Sequence, residues 1–390
     1  MKTFIALSTL FCAVTAQASQ QWEVNDVSVL FSLQSKLLGA QAKGKKGVLL
    51  PSAFFDSIKP LLPASPDAPK DEYAALKVVA ARFDPCFTYA TSAKCFPQVR
   101  LIWQPVEQKN NGSSTFDAGL HTFYQLTPQE WSAVTAKLLA LKLKFEKLGV
   151  STLGVPLGVH PALQNPATRE AFSKELSLIL LEFCGSKSLN RITFMKLFTP
   201  SIWWVFGGFE IKKGAMTKMK IPRHSNEVEE VQNFFNDDYN EPLGMKGSFT
   251  PELVNPSKKD ELTELLKNYS YNFSTADGRK SVKESLATLD RIENPTIFTP
   301  ETLDCAHCHV ATATRAWLGA RDSSFYQANQ KTSYRYQGQN LQNTSGSLKN
   351  PKSIRMFGYQ GTKTAIAQRV VNESFEVTKR LNLGMQTREK

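Results

Sequence analysis

This sequence is short of the residues from which most recognisable catalytic sites are built. It has five histidines and six cysteines in 390 residues. Between residues 19 and 272 no phosphate-binding loop, no Ser-His-Asp set and no carboxylate pair stands out. Asp117 and His121 lie close in sequence, but such pairs are too common to indicate a site. The first two thirds of the chain therefore give no support for an NTPase, a serine hydrolase or a glycosidase.

Long apolar runs are also scarce. The stretch from Ser201 to Phe209 is far too short to span a bilayer. Residues 4–14 form an apolar run that follows Lys2 and precedes Ala16-Gln17-Ala18. This pattern is typical of a secretory signal peptide, residues 1–18, cleaved after Ala18, and the alternative is a buried N-terminal helix. We therefore expect an exported, periplasmic protein without a transmembrane anchor, and export argues against nucleic acid as the partner of the formal charge of +12.

Export changes how the cysteines are interpreted, because an oxidising compartment favours disulfides. Cys86 and Cys95 flank eight residues and are predicted to form a disulfide, the alternative being two separate buried thiols. Cys184 ends an apolar helical run and is predicted to be a lone core cysteine.

The patterning up to residue 272 mixes strands and helices without a regular alternation or an internal repeat, so we expect an α+β domain over residues 19–272. One helix is predicted to begin at Pro128 after the N-cap Thr127 and to stop at Gly149, and another to cover 166–183. Strands are predicted over residues 24–33, 98–106, 117–126, 191–198, 202–211 and 215–222.

Residues 273–390 are predicted to form a second, mainly α-helical domain. Helices are expected over 277–292, from a Thr299-Pro300 start onward, and over 364–381 at the end of the chain. The polar stretch 323–347, rich in Gln, Asn, Ser and Tyr, is expected to be a long loop.

The side chains best able to bind a metal or a cofactor are concentrated in Cys305-Ala306-His307-Cys308-His309. On a helix, positions i, i+3 and i+4 share a face, so Cys305, Cys308 and His309 are expected to point the same way, and His307 is expected to be an exposed spacer. Three alternatives are a redox dithiol, a zinc site and a structural disulfide. A redox dithiol is expected to follow a strand in a βαβ unit, and none is predicted here. A zinc site needs a fourth ligand, and the sequence shows none nearby. A disulfide between positions i and i+3 of one helix has unfavourable geometry.

This C-x-x-C-H sequence resembles the haem attachment site of the c-type cytochromes. The resemblance implies that Cys305 and Cys308 form thioethers with haem c and that His309 is an iron ligand. It also implies a cytochrome c-like fold for residues 273–390, in which a methionine before the last helix is the second axial ligand. Met356, 47 positions after His309, occupies that place in the order of elements. Ligation by His121, His160 or His224, or a five-coordinate iron, are the alternatives.

The function expected from this reading is haem binding and electron transfer in a periplasmic monohaem protein. Residues 310–390 hold 13 Lys or Arg and 4 Asp or Glu, a net charge of +9, which predicts an acidic redox partner unless these residues are only a solvated face. The competing hypotheses are a peroxidase-like haem enzyme with an open iron site and a periplasmic binding or sensing protein with haem as an accessory.

Overall fold

The computed structural model describes residues 21–89, 92–109, 112–198, 202–221, 231–236, 274–299, 302–329 and 357–386. The helices in these ranges are α1 (Val24–Val27), α2 (Ser52–Asp56), α3 (Glu72–Ala75), α4 (Pro128–Glu146), α5 (Pro161–Gln164), α6 (Pro166–Phe183), α7 (Ala276–Ile292), α8 (Cys305–Arg321), α9 (Ser323–Asn329) and α10 (Gln368–Gln386). The strands are β1 (Ser28–Leu30), β2 (Lys43–Gly44), β3 (Gly47–Val48), β4 (Leu76–Tyr89), β5 (Ser92–Lys109), β6 (Gly112–Thr115), β7 (Gly119–Gln125), β8 (Leu189–Phe198), β9 (Ile202–Lys212), β10 (Ala215–Lys218), β11 (Val231–Asn236), β12 (Phe357–Gln360) and β13 (Lys363–Ile366).

One antiparallel sheet of nine strands organises the fold. Its order is β1-β4-β5-β7-β8-β9-β10, with β11 paired to β9 and β6 paired to β5. The strands predicted within 98–106, 117–126, 191–198 and 202–211 all lie in this sheet, which confirms those predictions. The strand predicted over 215–222 is shorter, because β10 ends at Lys218, and residue 222 lies outside the described residues. The strand predicted over 24–33 is shorter, because α1 occupies its first four residues.

Two helices cover one face of the sheet. Helix α4 begins where predicted, since the Thr127 side chain accepts from the Glu130 amide and the Glu130 carboxylate accepts from the Thr127 amide. Helix α6 covers the predicted range 166–183. Leu138 and Leu141 of α4 and Leu176 and Leu180 of α6 belong to one buried cluster. That cluster also holds the β5 side chains Val99, Leu101 and Trp103.

Helices from the C-terminal part of the chain cover the opposite face. Alternate side chains of a strand point to opposite faces, so Ile102 lies on the other side from Leu101 and Trp103. Ile102 packs with Phe357 and with Val370 and Val371 of α10. Further along the sheet, Met195, Trp204 and Phe206 pack with Leu286 and Leu289 of α7 and with Ala306 and Val310 of α8. The sheet is therefore a middle layer between two layers of helices.

The predicted cytochrome c-like fold of residues 273–390 is wrong. A strand pair, β12–β13, precedes the last helix, and the Gln104 side chain of β5 donates to the Tyr359 carbonyl and accepts from the Tyr359 amide. In the described part of this region, the helices complete their apolar clusters with side chains of the sheet. The molecule is α+β, with a large antiparallel sheet and helices at its C-terminal end.

The structure differs from three further predictions about this region. The helix expected from Thr299 begins at Cys305, because the Thr302 and Leu303 amides donate to the Thr299 carbonyl and Asp304 caps the helix. The expected loop 323–347 opens with α9, and its later residues lie outside the described ranges. The closing helix starts at Gln368 instead of 364, because residues 363–366 form β13.

The expected signal peptide, residues 1–18, and the expected domain boundary at residue 272 both fall outside the described residues. Among the helices that are described, none has the length and apolar character needed to cross a membrane.

Candidate functional site

The first turn of α8 carries the C-x-x-C-H sequence. Asp304 is the N-cap, and its Oδ1 accepts from the His307 amide at 3.0 Å. Asp is one of the preferred N-cap residues, because its side chain satisfies an amide that has no partner within the helix. Cys305 is therefore the first helical residue, and Cys308 and His309 follow it on the same face.

Cys305, Cys308 and His309 line one cavity of about 100 Å³ between α8, α10 and the sheet. The His309 ring lies 4.9 Å from the Phe206 ring, centroid to centroid, which supports it from the β9 side. The remaining lining residues come mainly from β4, β5, β7 and β8 and from α10: Arg82, Arg100, Ile102, His121, Phe123, Arg191, Thr193, Met219, Leu303, Asp304, Phe357, Arg369, Val370 and Glu373.

Both motif thiols are held in their protonated form. Burial raises the pKa of Cys305, and the nearby Asp304 adds to the rise. Burial also raises the pKa of Cys308 to about 11, although the charge of Arg369 opposes that effect. Neither thiol has the depressed pKa of a reactive nucleophile or of a redox dithiol.

The sheet wall of the cavity consists of two adjacent rows of side chains. In one row Arg82 of β4 lies opposite Arg100 of β5, Arg100 lies opposite Phe123 of β7, and Phe123 lies opposite Arg191 of β8. In the next row His121 of β7 lies between Ile102 and Thr193. The site thus places imidazoles on both walls, His309 on the helix and His121 on the sheet.

Glu373 of α10 is the carboxylate most closely associated with the arginines. It pairs with Arg82, and its Oε1 accepts from Arg369 Nε at 2.9 Å. Burial raises the pKa of Glu373, but the charges of Arg82, Arg369 and Arg100 outweigh this effect and lower the pKa to about 2. Glu373 is therefore ionised, and it compensates only part of the positive charge around it.

The prediction that His307 is an exposed spacer is wrong. Its side chain is fully buried, and its Nδ1 lies 2.8 Å from Asp304 Oδ2. The two oxygens of Asp304 thus contact the backbone amide and the ring of the same residue, which fixes the first turn of the helix.

The candidate axial ligands are distributed unevenly. His121 lines the cavity, whereas His160 is the buried N-cap of α5, where its ring stacks on Phe172 at 4.1 Å and burial lowers its pKa to about 3. Met356 and His224 lie outside the described residues. Met356 directly precedes Phe357, which lines the cavity.

The remaining cysteines have separate places. Cys184 is fully buried in the cluster under α4 and α6, and burial raises its pKa, so the prediction of a lone core cysteine is confirmed. Cys86 lies in β4 and Cys95 in β5, and the register sets Cys95 opposite Thr88. Their side chains fall outside the described ones, so the Cys86–Cys95 disulfide stays a prediction.

The donor set fits a covalently attached haem. Two thiols and one imidazole face the same cavity from one helical turn, and that cavity is basic, which suits a ligand with carboxylate groups. The volume of about 100 Å³ is smaller than the roughly 300–1,000 Å³ of drug-sized ligand pockets, so the donor set suits haem but the space between the walls in this structure does not hold a macrocycle. In the part of the chain that is described, no three His, Cys, Asp or Glu side chains converge closely enough to hold a bare metal ion.

The sequence reasoning missed the arginines and Glu373. Arg82, Arg100 and Arg191 each interrupt an otherwise apolar strand segment, in "AARF", "QVRLIW" and "NRITF". A charged residue at such a position is uncommon unless it has a partner, and this was the signal available. Their assembly into one row depends on strand order and register, which the local sequence does not specify.

Comparison with known proteins adds no assignment to this geometry: no protein-family model, no curated protein and no solved structure matches the chain.

Proposed function

We propose that this is an exported protein that binds one haem covalently and transfers electrons. Cys305 and Cys308 are the thioether residues, and His309 is the proximal iron ligand. The observation that carries the proposal is that these three side chains face one cavity from a single turn of α8. The haem would lie in a fold other than that of the small cytochromes.

The residues of the chain would each have a defined part. Asp304 caps α8 and so sets the direction in which the two thiols and His309 project. Phe206 supports the His309 ring. When bound, haem supplies an iron that cycles between two oxidation states, and the protein supplies its ligands, its burial and its electrostatic environment.

The proposed location and the proposed partner are supported by the sequence. The three-part pattern of residues 1–18 favours export to the periplasm, where covalent haem is found in bacteria. The net charge of +9 over residues 310–390 favours an acidic redox partner, because complementary charge steers association. We therefore expect the rate of electron exchange with an acidic partner to fall as salt is added.

The experiment that tests the proposal is expression of the full chain in a host that carries the haem-attachment machinery. We expect a haem absorption spectrum that survives acid-acetone extraction and a chain heavier by one haem. Cys305→Ser and Cys308→Ser should each remove one thioether, and the double variant should remove all covalent haem. Cys184→Ala is the matched control, because it removes a buried thiol outside the cavity. A wild-type chain without covalent haem under these conditions would show the proposal to be wrong.

Met356 is the proposed second axial ligand. Met356→Ala should abolish the weak long-wavelength band of methionine–iron ligation, whereas His121→Ala should leave it in place. A wild-type spectrum that lacks this band and is low-spin, with the low-spin form lost in His121→Ala and kept in Met356→Ala, would assign the position to His121, which faces the cavity from the sheet.

A haem enzyme with an open iron site is the second candidate, and the arginine-lined cavity beside His309 favours it. Cyanide and carbon monoxide distinguish the two functions. An electron carrier with two protein ligands leaves the spectrum unchanged on rapid mixing, and an open site binds the added ligand.

A further inference from the structure

The arginine row on the sheet is unusual on electrostatic grounds. Arg82 and Arg100 are directly opposed on neighbouring strands, and Arg191 follows across Phe123. Like charges directly opposite each other on a sheet are destabilising. Burial and the charge of Arg82 lower the pKa of Arg100 to about 10, which shows that its positive charge is disfavoured where it lies.

The side chains around the row compensate only part of this charge. The cavity is lined by four arginines and two carboxylates, Glu373 and Asp304. Arg82 and Arg369 share Glu373, and Asp304 is engaged with His307 and the helix N-terminus. The lining therefore carries two more positive than negative charges in a largely buried space, and Glu210, which lies outside the lining at 3.8 Å from Arg191, compensates part of this excess.

Arg100 is the arginine with least compensation. Its guanidinium lies over the Phe123 ring, 4.6 Å from the centroid, and Arg191 approaches the same ring at 6.0 Å. Its Nε is sealed from solvent and makes no hydrogen bond within the described part of the chain, and the same holds for Arg82 Nε. Adjacent guanidinium donors without acceptors are the arrangement that an oxyanion satisfies, because guanidinium groups bind carboxylate and phosphate oxygens through paired N–H donors.

We propose that the Arg82–Arg100–Arg191 row is an oxyanion-binding site, specific for a small carboxylate, phosphate or sulfate group. The cavity of about 100 Å³ accommodates a group of that size together with a few waters. The oxyanion has two sources, a free small anion or an acidic side group of a haem bound at Cys305 and Cys308. The site itself rests on the sheet residues and holds without haem.

The test uses the full-length Cys305→Ser, Cys308→Ser variant, which cannot attach haem. It is titrated with inorganic phosphate, sulfate and acetate, in low-salt buffer free of other oxyanions. We expect saturable binding of one anion per chain by calorimetry, and a rise in unfolding temperature of about 5 °C at a hundredfold excess over the Kd. Absence of saturable binding by any of the three anions would overturn the proposal.

Arg100→Gln provides a second readout. In the same haem-free background, this substitution should raise the Kd for the anion at least tenfold. Without anion, the variant should unfold at the same or a higher temperature, because the substitution removes a buried charge that its neighbours repel. Arg380→Gln is the matched control, since it removes one arginine from an exposed position of α10 outside the cavity. An equal loss of binding in both variants would indicate nonspecific attraction and contradict the site.

The haem-loaded protein distinguishes the two sources. Phosphate binding that disappears in the haem-loaded chain assigns the row to the acidic groups of haem, and binding that persists assigns it to a free anion. A chain that binds phosphate but never acquires covalent haem refutes the proposed function and leaves the anion site standing.

Discussion

At the scale of single residues, Glu373 links the stability of the protein to pH. Its pKa falls from the ordinary 4.5 to about 2 in the folded protein, so the ionised form is favoured by folding. This stabilisation is fully present above pH 4.5 and is lost as the pH falls toward 2. We expect the free energy of unfolding, measured by urea at successive pH values, to decrease over this window by on the order of 3 kcal/mol from this residue.

The control for this prediction is Glu373→Gln. The substitution removes the titrating group and leaves Arg82 and Arg369 without their carboxylate, so the variant should be less stable at pH 7 and have a flatter profile between pH 2 and 4.5. A variant whose stability still falls as steeply as that of the wild type over this window would place the acid sensitivity elsewhere.

The residues of the site differ in how well the sequence predicts that they lie together. Cys305, Cys308 and His309 lie within one helical turn, so local spacing alone predicts that they share a face. Arg82, Arg100 and Arg191 lie on three strands far apart in sequence, and their row depends on the register. Irregularities in the β4–β5 pairing after Val78 and after Asp84 decide that register, and local patterning does not locate them.

At the scale of elements, α8 is held in place by a buried ionic cluster. Arg315 of α8 donates from Nε to Glu293 Oε2 at 2.8 Å and from Nη2 to Asp290 Oδ1 at 2.7 Å. Arg369 of α10 donates to the carbonyls of Ile292 and Phe298, beside the end of α7. The end of α7 therefore connects the helix that carries the motif with the helix that carries Glu373.

Arg315→Met should destabilise the protein strongly, because it leaves two buried carboxylates without their cation. We expect a loss of about 3–5 kcal/mol in the free energy of unfolding, measured by urea denaturation. The triple variant Arg315→Met, Asp290→Asn, Glu293→Gln removes the unpaired charges and should recover part of that loss. A loss below about 1 kcal/mol in the single variant would mean that water solvates the carboxylates and that the cluster does not anchor α8.

Local sequence predicts the first residue of two helices correctly and that of a third incorrectly. Thr127-Pro128 and Asn165-Pro166 each precede a long amphipathic run, and both begin helices. Thr299-Pro300 has the same local form, but the helix starts five residues later, where Asp304 caps it. Thr302 and Leu303 donate to Thr299 in a turn, and Leu303 is buried in the cluster under α8. The packing of Leu303 depends on the distant sheet, and it overrides the local preference of Thr299-Pro300 to begin a helix.

At the scale of the whole molecule, the first and last parts of the chain meet on one face of the sheet. The Trp22 amide donates to Asn382, and the hydroxyls of Ser28 and Ser374 lie 2.6 Å apart. The C-terminal helices bury Met195, Trp204 and Phe206 of the sheet, and α10 buries Ile102. The cavity lies between these helices and the sheet, so both parts of the chain are needed to form its walls.

A fragment of residues 273–390 should therefore fail to fold when it is produced by itself. Without the sheet, the apolar residues of α7, α8 and α10 lose the side chains against which they pack, and the exposed area opposes a compact state. We expect poor chemical-shift dispersion and no cooperative thermal transition for the fragment, and a single transition with equal calorimetric and van't Hoff enthalpies for a chain of residues 19–390. Adding a separately produced 19–272 fragment should restore part of the cooperative transition. A fragment that unfolds cooperatively and retains covalent haem by itself would instead show that residues 273–390 form an independent domain.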